Sequence, residues 1–160
     1  MLSREGALRE IFDKHGDDAI YITNTGYISR AVYSLYPENK NIFYMQGSMG
    51  LSPAIALGIA SNTEKNIVCI SGDASLLMHL GITHNIRDYL KNKNNLHVYV
   101  LDNGCHESVG AYSCSMLEDT YPGVTKTYKI SNDGKKPRVG ISFTDNATDI
   151  QRLLLNEKSV

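Results

Sequence analysis

Four short apolar runs, each followed by residues at helical spacing, constrain this chain more than any other feature. They are AIYIT (19–23), NIFYM (41–45), NIVCISG (66–72) and NLHVYVLDN (95–103). Runs this short and this continuously apolar read as strands of a sheet covered on both faces, which is the habit of parallel sheets. Between them, ISRAVYSLY, PAIALGIAS and SLLMHLGITHNIRDYL carry helical spacing, the second with Pro in its first turn. Ser3, Glu5 and the period Leu8, Ile11, Phe12 read as a leading helix. The alternation predicts an α/β fold, a parallel-sheet three-layer domain with right-handed crossovers. The 160 residues fit one domain, 1–160.

Past residue 103 the periodicity stops. Residues 104–124, GCHESVGAYSCSMLEDTYPGV, read as a long loop, and such loops are usually functional or mobile. KTYKIS (126–131) and PRVGISF (137–143) read as strands, NDGKK between them as a turn, and TDIQRLLL as a short final helix.

Composition narrows the function. A net charge of −1 gives no reason to expect nucleic acid or an anionic membrane as partner. No run is long and apolar enough to span a bilayer, and the charged N-terminus does not read as a signal peptide. Three cysteines, Cys69, Cys105 and Cys114, lack any CxxC spacing, which argues for a reducing compartment and a cytoplasmic protein.

In an open parallel sheet, ligands bind at the carboxyl ends of the strands. Those ends carry Thr25-Gly26-Tyr27, Gly47-Ser48-Met49-Gly50, Gly72-Asp73-Ala74-Ser75 and Asp102-Asn103-Gly104-Cys105-His106. The third group opens a helix, whose N–H groups suit a phosphate. Asp73 would repel that phosphate unless a divalent cation lay between them, and Mg²⁺ binds through one or two carboxylates plus substrate phosphates. Asn103, at the end of the next strand, offers a second oxygen. Gly-Asp and Asp-Asn-Gly are also ordinary turn and cap sequences. Their occurrence together on neighbouring strand ends points to a metal–diphosphate site.

GDAS followed by DNG resembles the signature of thiamine diphosphate-dependent enzymes, Gly-Asp-Gly and then Asn-Asn or Asp-Asn. TGYISR, FYMQGSMG, GDASLLMHLG and LDNGCHESVG together are similar to the diphosphate-binding domain of the phosphonopyruvate decarboxylases. The resemblance covers residues 3 to about 116, with its motifs in 23–116. It implies a fold of the thiamine diphosphate-binding type. Asp73, the Asn103 side chain and the Cys105 carbonyl would hold Mg²⁺. Ser75 and the N–H groups after Asp73 would hold the diphosphate with Thr25 and Gly26, in a turn completed by Gly72 and Ala74. The Gly47 carbonyl would accept from the aminopyrimidine, and Met49, next to Ser48, would wedge under the cofactor and bend it.

The reaction implied is decarboxylation of phosphonopyruvate to phosphonoacetaldehyde and CO₂, with the cofactor's thiazolium as electron sink. The alternatives are sulfopyruvate decarboxylation by a beta subunit, or a non-catalytic module that keeps the fold. A nucleotide-binding domain has no G-x-G-x-x-G or G-x-x-x-x-G-K-[ST] to support it. His106 is the candidate for proton transfer or phosphonate binding, against a plain surface-loop role. Arg30 is a candidate for the phosphonate, against a solvated helix position. Glu107 is a weaker candidate, His79, His84 and His97 read as core or surface residues, and Cys105 and Cys114 as inert thiols.

The family's cofactor lies between two domains, and a glutamate of the second activates the pyrimidine. Glu5, Glu10 and Glu38 lie in no matching motif, so the resemblance implies a separate pyrimidine-domain subunit supplying that glutamate, and a hetero-oligomer. The sequence departs from the family in three places. Ala74 replaces the second Gly of Gly-Asp-Gly, and a methyl there costs about 1 kcal/mol if the position needs positive φ. SVGAYSCS replaces a loop with Gly-Gln and Thr. Residues 117–160 form a shortened C-terminal part.

Overall fold

A computed structural model of the chain describes residues 1–114, 120–134 and 136–155. Part of the predicted 104–124 loop, and Lys135 of the predicted NDGKK turn, lie outside the described residues.

The elements run β1 (Leu2–Ser3), α1 (Arg4–His15), β2 (Ile20–Thr23), α2 (Tyr27–Leu35), β3 (Ile42–Tyr44), α3 (Ser52–Ala60), β4 (Ile67–Gly72), α4 (Asp73–Met78), α5 (Ile82–Tyr89), β5 (Leu96–Asp102), β6 (Cys105–His106), β7 (Tyr112–Ser113), β8 (Lys126–Ser131) and α6 (Phe143–Leu155). Six strands form a parallel sheet in the order β1-β8-β5-β4-β2-β3. Every residue of β2 and β4 is buried, as the continuous apolar runs require. Strand residues alternate between two cores. Tyr21, Val68, Ile70, Tyr99 and Leu101 face α1 and α2. Ile20, Ile22, Ile67, Cys69 and Val98 face α3, α5 and α6. The three-layer expectation therefore holds.

Local signals set several boundaries. Ser3 caps α1, its Oγ accepting from the Gly6 N–H at 3.0 Å. Pro53 sits in the first turn of α3. Asn146 of α6 closes the free edge of β3: its Oδ1 accepts from Tyr44 N at 2.9 Å, and its Nδ2 donates to the Ile42 carbonyl at 2.6 Å.

Three expectations need correction, and one strand was not foreseen. The helix read across 75–90 is two helices, α4 starting already at Asp73 and α5 at Ile82. The chain bends at His79, where the Gly50 backbone packs into Ser75, Met78 and His79, and Gly81 has little helical preference. PRVGISF forms no strand, because Pro137 lacks an N–H, α6 begins at Phe143, and Asn146 already occupies the edge of β3. Val139 and Ile141 pack instead onto the α1–α2 core. The loop after residue 103 contains a small antiparallel pair, β6 with β7, joined through a turn of 3₁₀ helix at Glu107–Val109. β1 extends the sheet at the β8 edge, and at two residues it was too short to show a period.

Candidate functional site

Sequential strands run outward from β2 to β3 on one side and from β4 through β5 to β8 on the other. The order therefore reverses between β2 and β4, and a crevice is expected beyond their carboxyl ends. A cleft opens there, lined by Asn24 and Thr25 after β2, Met49 after β3, Gly72–Ser75 after β4, and Asn103 with Cys105–Ser108 after β5.

The pairing Gly72↔Leu101 puts Asp73 level with Asp102 and Asn103 on the neighbouring strand. Asp73 is 2% exposed. Its Oδ2 accepts from the Gly104 N–H at 3.0 Å, and the same N–H meets Asp102 Oδ1 at 3.0 Å. Lys129 pairs with the other Asp102 oxygen at 2.5 Å. Burial first, and the nearby Asp102 carboxylate after it, push the Asp73 carboxyl up to about 6. A buried carboxylate held near a second one is stabilised by a cation.

The oxygens for that cation converge. One atom of the Asn103 amide lies 3.3 Å from Asp73 Oδ1 and 2.9 Å from the Cys105 carbonyl oxygen. Adjacent ligands of an octahedral Mg²⁺, bonded at about 2.0–2.1 Å, stand about 2.9 Å apart. One carboxylate, one amide oxygen and one backbone carbonyl form a hard donor set that suits such an ion. No group of three His, Cys, Asp or Glu able to hold a metal occurs among the described residues. The three residues proposed for Mg²⁺ are thus brought together, and they fit it.

The anion side is also built. Ser75 is buried, and its Oγ accepts from Asn24 Nδ2 at 2.7 Å, while the buried Asn24 Oδ1 has no partner. Turned over, the amide would accept from the Ser75 hydroxyl and leave its NH₂ group free beside the cleft, as a diphosphate needs. α4 has only six residues, so such a seat rests on Ser75, Asn24 and individual N–H groups rather than on a long helix dipole. Ala74 lies inside α4, and Ala111 is the one non-glycine residue with positive φ among the described residues. The methyl of Ala74 therefore carries no backbone penalty, which answers the condition set above.

Gly26 caps α2 at φ +77°, and a Cβ there would stand 3.2 Å from Ser108 Oγ, so the two loops face each other closely. Gly50, at φ +88°, is tighter still. Its missing Cβ would meet the Ser75 carbonyl at 2.8 Å, and this close packing holds the turn that presents Met49 to the cleft.

The other candidates divide. His106 lines the cleft, held by the pairing of β6 with β7. Gly47 borders an adjoining cleft with Thr25, Gly26, Arg30 and Arg138. Ser48 is exposed and lines neither cleft, its carbonyl accepting from Leu51 N at 3.3 Å. Arg30 Nη1 reaches the Lys136 carbonyl at 3.4 Å, and the guanidinium lies 5.4 Å from the Tyr27 ring centre. His79 and His84 are exposed, and His97 packs on His15, with ring centres 4.6 Å apart, away from the cleft. Burial, then Asp73 and Asp102, raise the Cys114 thiol, which keeps it protonated and inert.

Sequence reasoning missed Asn24, Asp102 and Arg4. Arg4 lines the cleft at 2% exposure and pairs with Glu107 and Asp133. One signal was available for it: a cation in the first turn of α1 opposes the helix dipole and so implies an anionic partner elsewhere.

Comparison with known proteins shows the family. The family model described as "Thiamine pyrophosphate enzyme, C-terminal TPP binding domain" matches residues 22–144. Sulfopyruvate decarboxylase subunit beta of Methanocaldococcus jannaschii is 38% identical over 103 residues, 64% of this chain and 53% of that subunit. Phosphonopyruvate decarboxylase of Streptomyces viridochromogenes is 36% identical over 108 residues, 68% of this chain and 26% of that enzyme. The beta subunit of Methanococcus maripaludis sulfopyruvate decarboxylase is 28% identical over 92% of this chain and 75% of its own length. In the M. jannaschii case the match spans about half of the relative. An X-ray structure assigned to a thiamin diphosphate-dependent enzyme of Mycobacterium smegmatis shares the fold, with a TM-score of 0.54, 19% identity, and coverage of 73% of this chain and 24% of that one. The chain belongs to the thiamine pyrophosphate enzymes, through their C-terminal TPP-binding domain.

Proposed function

We propose that this chain is the diphosphate-binding subunit of a thiamine diphosphate- and Mg²⁺-dependent 2-oxo acid decarboxylase, acting on phosphonopyruvate. The observation that carries the reading is the convergence of Asp73 Oδ1, the Asn103 amide and the Cys105 carbonyl, beside the Ser75–Asn24 pair with its unpartnered buried amide atom. Bound thiamine diphosphate supplies the electron sink that lets the carboxylate leave as CO₂.

The chain's own residues do the rest. Asp73, Asn103 and the Cys105 carbonyl hold the cation that neutralises the diphosphate. Ser75, Asn24, Thr25 and Gly26 orient it. Met49, fixed by the Gly50 packing, would shape the bound cofactor, and the Gly47 carbonyl would accept from its aminopyrimidine. His106, at the cleft wall, delivers a proton to the product or holds the substrate's second acid group. A separate subunit with a pyrimidine domain, in a hetero-oligomer, supplies the activating glutamate; the relation to chains named as beta subunits supports this.

The His106-Glu107 loop favours the phosphonate substrate. A second reading, sulfopyruvate, draws support from the 38% identity to a sulfopyruvate decarboxylase beta subunit. The test is phosphorus NMR of phosphonopyruvate with the chain, its pyrimidine-domain partner, thiamine diphosphate and Mg²⁺, and a parallel assay of sulfopyruvate. Phosphonoacetaldehyde that is absent with Asp73→Ala supports the first reading. Turnover of sulfopyruvate alone supports the second, and turnover of neither refutes the enzyme.

A further inference from the structure

Resting on the metal site proposed above, we infer that the buried Arg4–Glu107 pair is a positioning clamp that aims the Asn103 amide oxygen into the cation cage. The Asn103 amide has acceptors on both of its sides. On the cage side are Asp73 Oδ1 at 3.3 Å and the Cys105 carbonyl at 2.9 Å. On the far side are Glu107 Oε2 at 3.3 Å and Asn132 Oδ1 at 2.6 Å. With its nitrogen on the far side the amide donates to Glu107 and Asn132. Its oxygen then faces the cage and also accepts from Cys105 N at 3.4 Å. Turned over, the nitrogen donates to Asp73 and Cys105, and the cage loses a ligand and gains a donor that repels a cation.

The side chain alone therefore has two orientations with similar hydrogen bonding, and the far-side acceptor decides between them. Glu107 is an obligate acceptor while ionised, and donation to an ionised acceptor is about twice as strong as to a neutral one. Arg4 keeps it so. The guanidinium is 2% exposed and reaches Glu107 with Nη2 and Asp133 with Nη1, fastening the turn after β6 to the start of α1 and to the chain after β8. Glu107 Oε1 also takes the Gly134 N–H at 3.3 Å, so the carboxylate is held from both ends. Arg4 and Glu107 lie one shell out from the cation and act on it through Asn103. Partners in this position commonly change metal affinity by about 10–100-fold.

The probe is Mn²⁺ titrated, with thiamine diphosphate, into the chain assembled with its pyrimidine-domain partner, free ion being read by electron paramagnetic resonance. Asp73→Ala controls for the cage itself. Glu107→Gln replaces the obligate acceptor with a group that can also donate, and Arg4→Lys keeps the cation but loses the fork. Both should weaken Mn²⁺ binding about tenfold or more, with the urea midpoint of Glu107→Gln near that of the wild type. In the Mg²⁺-loaded wild type, the Asn103 side-chain NH₂ should show nuclear Overhauser contacts to the Glu107 methylenes, and in Glu107→Gln these should weaken. Binding lost in Asp73→Ala but within twofold of wild type in Glu107→Gln refutes the clamp and leaves the cage intact. A wild-type assembly that binds no Mn²⁺ overturns both.

Discussion

Asp73→Asn should make the metal-free chain more stable while abolishing its proposed purpose. Folding buries the Asp73 carboxyl almost completely and sets it near Asp102, pushing it up to about 6 from an ordinary 3.8. The sign follows from linkage. A carboxyl whose folded value exceeds its unfolded one costs nothing below about pH 3.8, costs progressively more up to about pH 6, and a constant amount above that. At 1.36 kcal/mol per pH unit the ceiling of that cost is about 3 kcal/mol. Asn keeps an oxygen for the Gly104 N–H but gives up about 0.3–1 kcal/mol of charge–dipole attraction at the start of α4. The net gain should be about 2–3 kcal/mol at pH 8, shrinking to near zero at pH 4. Urea unfolding of wild type and variant at both pH values, in chelator, measures it. A variant equally or less stable at pH 8 refutes the claim that Asp73 is a strained, cation-seeking carboxylate.

Other perturbations probe other parts of the account. Divalent-ion affinity should fall as pH drops through about 6, by about tenfold per unit, since the cation competes with the Asp73 proton; calorimetry from pH 5 to 8 reads this, and a flat profile contradicts it. Gly50→Ala should cost about 2 kcal/mol or more, because a Cβ would stand 2.8 Å from the Ser75 carbonyl at φ +88°, and thermal unfolding checks it. Met49→Ala should leave stability within about 1 kcal/mol, because Met49 is only half-buried, yet lower decarboxylation by the assembled enzyme at least tenfold. Asn146→Ala should cost about 1–3 kcal/mol by unpairing Tyr44 N and the Ile42 carbonyl at the sheet edge.

Much of the fold could be read in advance because buried parallel strands leave an unmistakable pattern. NIVCISG and NLHVYVLDN matched β4 and β5 to within a residue or two, since runs this short and rich in Val and Ile suit a strand covered on both faces. The errors fell where tertiary contact overrode local pattern. Nothing in SLLMHLGITHNIRDYL announces that the Gly50 turn will press into it, and a β-like PRVGISF finds no free edge once Asn146 takes it. Of the proposed cation ligands, Asp73 and Asn103 could be picked out because strand ends concentrate such residues, and the Cys105 carbonyl only through the family resemblance. The site was not legible in its supports. Arg4 is over a hundred positions from both Glu107 and Asp133 in sequence, and the pairing of β1 with β8 brings it to them. Asn24 looked like a turn residue, and only its unpartnered buried atom marks it as part of a binding surface.

The most direct test is calorimetric titration of thiamine diphosphate into the chain assembled with its pyrimidine-domain partner, in Mg²⁺ and again in chelator, for wild type and Asp73→Ala. The account predicts saturable binding of one cofactor per chain, lost in chelator and lost in the variant. Absent binding in the assembled wild type, or binding indifferent to both the cation and Asp73, would contradict it.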